Sequence, residues 1–226
     1  MITLTNLSKS YGKKQVLNGI DAVFEPGRVY GIVGQNGAGK TTLFRCIAGL
    51  ERYKGEIKTE GLPLKGHLGL LTSEPYYLAK MTGEDYIYFH TDARGIRLRD
   101  LNKRNIFQLP LKEYVSDYST GMKKKLALTA VLLQGNQYLI FDEPYNGIDL
   151  ESAMMLTVII RRLRDAGKTI LISSHIFATL KECCDEILLL DDGRVDKTVQ
   201  QPDFQALEEE MKARVLLTDI DKLIAG

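Results

Sequence analysis

The chemistry in this sequence starts at Gly34, Gln35, Asn36, Gly37, Ala38, Gly39, Lys40, Thr41 and Thr42. The run fits the phosphate-loop pattern G-x-x-x-x-G-K-[ST] without a mismatch. An apolar, strand-like run over 29–33 precedes it, and Leu43 to Ala48, closed by Gly49, reads as a short helix with a glycine stop. Strand, glycine loop and helix start together make an anion site. Glycines let backbone N–H groups turn inward, and the helix N-terminus adds positive potential. In such a loop Lys40 reaches the outer phosphates and the Thr41 hydroxyl sits on Mg²⁺. A chance glycine-rich turn would lack both flanks.

A second stretch offers acids where a nucleotide site needs them. Tyr138, Leu139, Ile140 and Phe141 form a buried-strand run that ends in Asp142, Glu143 and Pro144. Such a strand places Asp142 at its C-terminal end, where it can support Mg²⁺, and leaves Glu143 to orient or deprotonate water. Carboxylates directly after a buried strand carry a desolvation cost that a mere turn does not justify. A third apolar run, Thr169 to Ile172, ends in Ser173, Ser174 and His175. There His175 is either a satisfied polar cap or a sensor of the terminal phosphate. Between the loop and the acids lies Tyr118-Ser119-Thr120-Gly121-Met122, followed by Lys123, Lys124 and Lys125. Three lysines in a first helical turn oppose the helix dipole. They either help hold an anion or form a solvated face. Tyr11, at the end of the first strand, is either a base-stacking aromatic or a half-exposed turn tyrosine.

The elements that must position these residues follow from periodicity and punctuation. Residues 2–10 and 16–24 read as strands joined by a turn at 12–14, and shorter strands fall near 55–58 and 67–71. Thr82 caps a helix whose first turn holds Glu84 and Asp85. The pattern predicts a second helix over 97–107, ended before Pro110, and a third over 126–133, stopped by Gly135. The stretch 76–134 therefore reads as a helical insertion. Residues 150–166 make a helix with an apolar face at Met154, Met155, Val158, Ile159 and Leu163, followed by a strand at 168–173, a helix at 176–184 and a strand at 186–190. Strands alternating with helices mean an α/β fold with a mainly parallel central sheet.

Composition narrows the classes. The 226 residues suit one compact domain or a core with a subdomain, and 44% hydrophobic with 26% charged residues is globular. A formal net charge of +1 gives no global attraction to nucleic acid or to anionic membrane. No apolar run approaches the roughly 20 residues of a membrane-spanning helix. The N-terminus lacks the regions of a signal peptide. Three cysteines without metal-ligand spacing, Cys46, Cys183 and Cys184, suggest a reducing compartment.

The phosphate loop, the Ser119-Thr120-Gly121-Met122 run, Phe141-Asp142-Glu143-Pro144 and Ser173-Ser174-His175 stand in a fixed order. In that order the chain resembles the ATP-binding-cassette (ABC) ATPases, specifically the separate nucleotide-binding subunit of a transporter, over about residues 1–198. The resemblance implies an ABC-type P-loop NTPase core with a mainly parallel sheet, an antiparallel β subdomain and an inserted α-helical subdomain. It divides the chain into a domain over 1–200, with its helical part at about 76–134, and a tail over 201–226 of no assigned role. It implies that Tyr11 stacks on adenine, that residues 34–42 hold the phosphates of ATP, and that Asp142 supports Mg²⁺. It further implies that Glu143 is the catalytic base, that His175 contacts the γ-phosphate, and that Asp149 crosses to the opposite subunit. Ser119 and Gly121 resemble the signature residues that close over ATP held by a second copy. Two ATP molecules would then be sandwiched between two head-to-tail subunits, as a homodimer or with a closely related chain.

Two positions depart from the family pattern. Tyr118 and Thr120 replace the first and third residues of L-S-G-G-Q/M, and Ser73 stands near the place of a glutamine that contacts Mg²⁺ and the attacking water. The expected function is hydrolysis of Mg-ATP to drive a separate membrane permease, with no nucleic-acid partner. The chain would be cytoplasmic and held at the inner face of the cell membrane through the permease. The alternatives are a non-transport ABC ATPase and a weakly hydrolytic regulatory subunit. A GTPase is disfavoured because Asn102-Lys103-Arg104-Asn105 lacks the acid that pairs with guanine.

Overall fold

The computed structural model describes residues 1–78 and 80–216, and the end of the 201–226 tail lies outside the described residues. The chain runs β1 (Ile2–Tyr11), β2 (Lys14–Phe24), β3 (Val29–Val33), α1 (Lys40–Ile47), β4 (Lys54–Thr59), β5 (Leu68–Leu71), α2 (Gly83–Asp92), α3 (Leu101–Arg104) and α4 (Thr120–Leu133). It continues through β6 (Tyr138–Phe141), α5 (Leu150–Asp165), β7 (Thr169–Ser173), α6 (Phe177–Cys183), β8 (Glu186–Asp191), β9 (Arg194–Gln200) and α7 (Phe204–Leu216). Six strands form the central sheet in the order β5-β6-β7-β3-β8-β9, all parallel except the antiparallel edge strand β9. A separate antiparallel sheet has the order β2-β1-β4.

Every residue of β3, β6 and β7 is buried, because the central sheet is covered on both faces. Alternate side chains feed two cores. Val29, Val33, Leu139, Phe141, Ile170 and Ile172 face α4, α5 and α6. Tyr30, Ile32, Tyr138, Ile140 and Leu171 face α1 and the antiparallel sheet, among Ile2, Leu4, Leu17 and Phe24. The tail packs rather than hanging free over its first turns: Phe204 and Leu207 are buried in the first of these cores, and Lys181 of α6 reaches Gln205 and Glu208.

Two expectations need correction. The helix expected over 97–107 shrinks to the four residues of α3. Asp100 and Gln108 both take positive φ, 54° and 51°, and the Asn105 side chain bonds both the N–H and the carbonyl of Leu109. Local side-chain bonds of this kind replace helix there. Three residues after Asp191, past the strand read at 186–190, the further strand β9 begins and closes the sheet edge.

Parallel strands β5, β6, β7 and β3 all end on the same edge of the sheet. That edge is where open α/β sheets hold ligands. It carries Ser73 after β5, Asp142 and Glu143 after β6, His175 after β7 and the glycine loop after β3.

Candidate functional site

The loop after β3 wraps the start of α1. Gly39 is the N-cap with φ 107°, and a Cβ there would sit 2.9 Å from the Val16 carbonyl, so only glycine fits. With Gly37, also at positive φ, it turns the backbone around the helix N-terminus. Lys40 is folded over the loop, its Nζ donating to the carbonyls of Gly34 (2.7 Å) and Gln35 (3.2 Å). Burial lowers its pKa, and the carboxylates of Glu143 and Asp142 oppose that shift.

Opposite the loop, hydroxyls fix the two acids. Asp142 is 2% exposed; its Oδ2 accepts from Thr41 Oγ1 at 2.7 Å and its Oδ1 from Ser173 Oγ at 2.7 Å. Ser173 Oγ in turn accepts the Glu143 N–H at 3.0 Å, so α1, β6 and β7 are tied through one carboxylate. Glu143 takes φ 52°, an uncommon conformation for a non-glycine residue that costs of order 1–3 kcal/mol. Its Oε2 accepts the His175 N–H at 3.1 Å. Its Oε1 lies 3.0 Å from His175 Nε2 without a well-directed hydrogen bond, which leaves acceptor capacity on a buried carboxylate. Burial raises the Glu143 pKa above 4.5, against the pull of His175 and Lys40. These groups, with Ser73 and Asn36, line a cleft of about 460 Å³ that Lys14 and Val16 of β2 and Asn146 also reach.

Asp142 suits a hard divalent cation. Its oxygens are held by neutral hydroxyls rather than by a contacting cationic side chain, and the Thr41 hydroxyl adds an oxygen. No cluster of three His, Cys, Asp or Glu stands together among the described residues. Few protein ligands beside a phosphate cradle is the pattern of Mg²⁺ sites.

Ser119, Gly121 and Asp149 are not in that cleft. Ser119 is exposed and caps α4, accepting the Met122 N–H at 3.2 Å. Gly121 packs where a Cβ would sit 2.6 Å from the Gly147 carbonyl, so the α4 start lies flush on the turn before α5. Asp149 caps α5, taking the Ser152 N–H at 2.9 Å, and pairs with Lys125 Nζ at 2.9 Å. Tyr11 is also outside the cleft lining. It is 44% exposed, with the Lys9 ammonium 4.6 Å from its ring centroid.

Comparison with known proteins fits this geometry. The family model described as "ABC transporter" matches residues 17–146. The lantibiotic transport ATP-binding protein SrtF of Streptococcus pyogenes is 31% identical over 225 residues, covering 96% of this chain and 98% of its own. The chain belongs to the ABC transporter ATP-binding proteins. A solved ATP-binding subunit of an ABC transporter superposes with a TM-score of 0.81 at 25% identity, over 100% of this chain and 98% of that one. A dimeric ATP-binding cassette in a post-hydrolysis state, bound to ADP and Pi, superposes at 0.78 over 89% of this chain and 99% of its own; at 19% identity it shows the fold.

Within this ABC ATPase, the departures acquire local causes. Tyr118 is a core residue, 4% exposed, whose hydroxyl donates to the Pro110 carbonyl at 2.7 Å. The three lysines neither gather at the α4 N-terminus nor form one solvated face. Lys125 turns to Asp149, and Lys124 is buried at 4% exposure, its ammonium on backbone carbonyls. Sequence reading missed Lys124, Lys125 and Ser173 as site groups. The sequence does signal the burial of Lys124, though not its role: it lies three, four and seven residues before Ala127, Leu128 and Val131, on the apolar face of α4.

Proposed function

We propose that this ABC ATPase binds Mg-ATP in the cleft between residues 34–42 and the acids at 142–143, and hydrolyses it in a dimer. The observation that carries this reading is the Thr41–Asp142–Ser173 chain of hydroxyls and carboxylate, set opposite Lys40 and beside Glu143 and His175. Backbone N–H groups of residues 34–42 and the α1 N-terminus take the phosphates, and Lys40 leaves its carbonyls for the β/γ oxygens. Thr41 and Asp142 would hold Mg²⁺, and Ser73, also in the cleft lining, would contribute to it indirectly. Mg²⁺ supplies charge neutralisation on the phosphate oxygens.

Glu143 orients the attacking water and takes its proton on Oε1. His175 holds the Glu143 carboxylate and faces the terminal phosphate. The positive φ of Glu143 aims its side chain into the cleft rather than along the strand. Tyr11 stands at the β1–β2 turn, where a base extending past Val16 would meet it. Ser119 and Gly121 of a second copy complete the site, and Asp149 reaches across. What supports this is their position: Ser119 and Asp149 are exposed and cap their own helices, and none of the three lines the cleft of its own chain.

The partner reading rests on a second feature. An apolar groove of about 630 Å³ runs between the β5 edge and the α2–α4 pair, and its rim exposes Tyr76 (80%), Phe89 (57%) and Leu78 (48%). Exposed aromatic and aliphatic residues beside a groove mark a docking site, and no helix among the described residues is long and apolar enough to cross a membrane. We assign the groove to a cytoplasmic segment of the permease, which would hold the chain at the inner face of the membrane. Phosphate release from Mg-ATP by the purified chain tests the activity; no release above buffer overturns it. Phe89→Glu should abolish co-sedimentation with permease-bearing membranes while sparing that release, and unchanged co-sedimentation removes the groove from the account.

A further inference from the structure

We propose that Lys124 is a positioning residue for hydrolysis, whose buried ammonium ties the loop after β5 to the end of β6 beneath the two acids. The inference rests on the reading of the cleft as an ATPase site. Lys124 belongs to α4, a helix that carries the signature run at its start and lends no side chain to the cleft lining, so Lys124 acts from behind it. Its Nζ donates to the carbonyls of Ser73 at 2.9 Å, Thr72 at 3.2 Å and Asp142 at 3.4 Å. An ammonium has three donors, and here three carbonyls on two segments receive them. A lysine with only a packing role keeps its head in water, whereas this one is 4% exposed.

The position of the three acceptors gives the role. Thr72 and Ser73 are the loop where the family carries its glutamine, and in this chain the side chain there is a short serine. The placement of that loop against the acids therefore depends on its backbone, and Lys124 grips that backbone. The third acceptor is the carbonyl of Asp142, the residue that leads directly into strained Glu143. The Asp142 N–H already bonds the Leu71 carbonyl at 2.9 Å, so Lys124 closes a second link between the same two strand ends. Burial lowers the Lys124 pKa, while the carboxylates of Asp142, Glu143 and Glu74 favour its charged form. The charge thus adds a cation beneath the carboxylates without touching them. A shift of the acids by one ångström costs catalysis far more than it costs nucleotide binding.

The test compares Lys124→Met, Lys124→Arg and wild type, using a fluorescent ATP analogue for binding and phosphate release for turnover. In Lys124→Met we expect the analogue to bind within about three-fold of wild type and kcat to fall on the order of 10- to 100-fold. Lys124→Arg should recover most of that loss. Hydrogen exchange at amides 72–74 should rise in the Met variant while α1 keeps its protection. Where the Met variant does not fold, Lys124→Gln, a neutral donor, takes its place in the same comparison. A kcat within about two-fold of wild type overturns the inference, as does a loss of turnover that tracks lost binding with no recovery by Arg. Absent turnover in wild type would instead overturn the ATPase reading.

Discussion

The end of the molecule built on Lys40 and the end built on Ser119 are made by different rules. At the first, Asp142 and Glu143 are 2% and 7% exposed, and hydroxyls from two other elements hold them in place. Lys40, Thr41, Asp142, Glu143 and His175 meet in one cleft within one chain. At the second, Ser119 and Asp149 are exposed and their hydrogen bonds serve their own helix caps. A preorganised site holds its groups by burial, whereas a surface built to meet a partner presents them. On the proposed reading, the first end binds nucleotide alone, and the second end acts on nucleotide held by another copy.

Breaking the first end should have the largest effect. Glu143→Gln keeps ATP binding and slows turnover by ~10²–10⁴-fold, the size of a general-base contribution; near-wild-type turnover would remove Glu143 from that role. Because burial raises the Glu143 pKa above 4.5, the acid limb of the wild-type rate profile should lie above pH 4.5 and be absent from the residual rate of the variant. Ser119→Ala should cost turnover by ~10²-fold, as for one lost anion donor, with unchanged nucleotide affinity in the monomer. Lost monomer affinity would place Ser119 in its own chain's site.

Smaller effects sharpen the difference in construction. Gly121→Ala drives a Cβ against the Gly147 carbonyl and should cost about 1–3 kcal/mol in urea unfolding; no loss would mean the α4 start can move off the turn. Asp149→Asn should have the smallest effect. The Ser152 N–H, with Lys125, holds the folded Asp149 carboxyl below its ordinary 3.8. A carboxyl lowered on folding stabilises above its unfolded pKa, and that contribution fades as pH falls through the folded value. The Tm gap between wild type and Asp149→Asn should therefore be present at pH 7 and narrow below pH 3.8; a gap constant with pH would deny the cap its charge.

Sequence made the first end readable because buried parallel strands are continuous apolar runs. Where Leu139-Ile140-Phe141 or Ile170-Leu171-Ile172 stops, the next polar residue stands at the sheet edge. The central sheet and the start of the acidic site followed from that alone. Lys124 was not readable as a site group, because its partners are carbonyls contributed 51 and 52 residues upstream and 18 downstream. The bond between Lys125 and Asp149 crosses 24 residues and is equally hidden. Residues 97–107 failed for the opposite reason: their helical pattern is local, and the Asn105 side chain overrode it locally. Tyr145, in the turn after Pro144, is 5% exposed and bonds Thr157 at 3.0 Å, anchoring the segment that leads to Asp149 through a contact 12 residues away that no local pattern shows.

Mass by light scattering of the Glu143→Gln variant with Mg-ATP tests the shared site most directly. Slow turnover preserves the nucleotide, so the account predicts a species of twice the monomer mass that returns to monomer when ADP replaces ATP. Loss of that dimer on adding Ser119→Ala would assign the contact. A mass that stays monomeric at saturating Mg-ATP would contradict a site completed by a second copy.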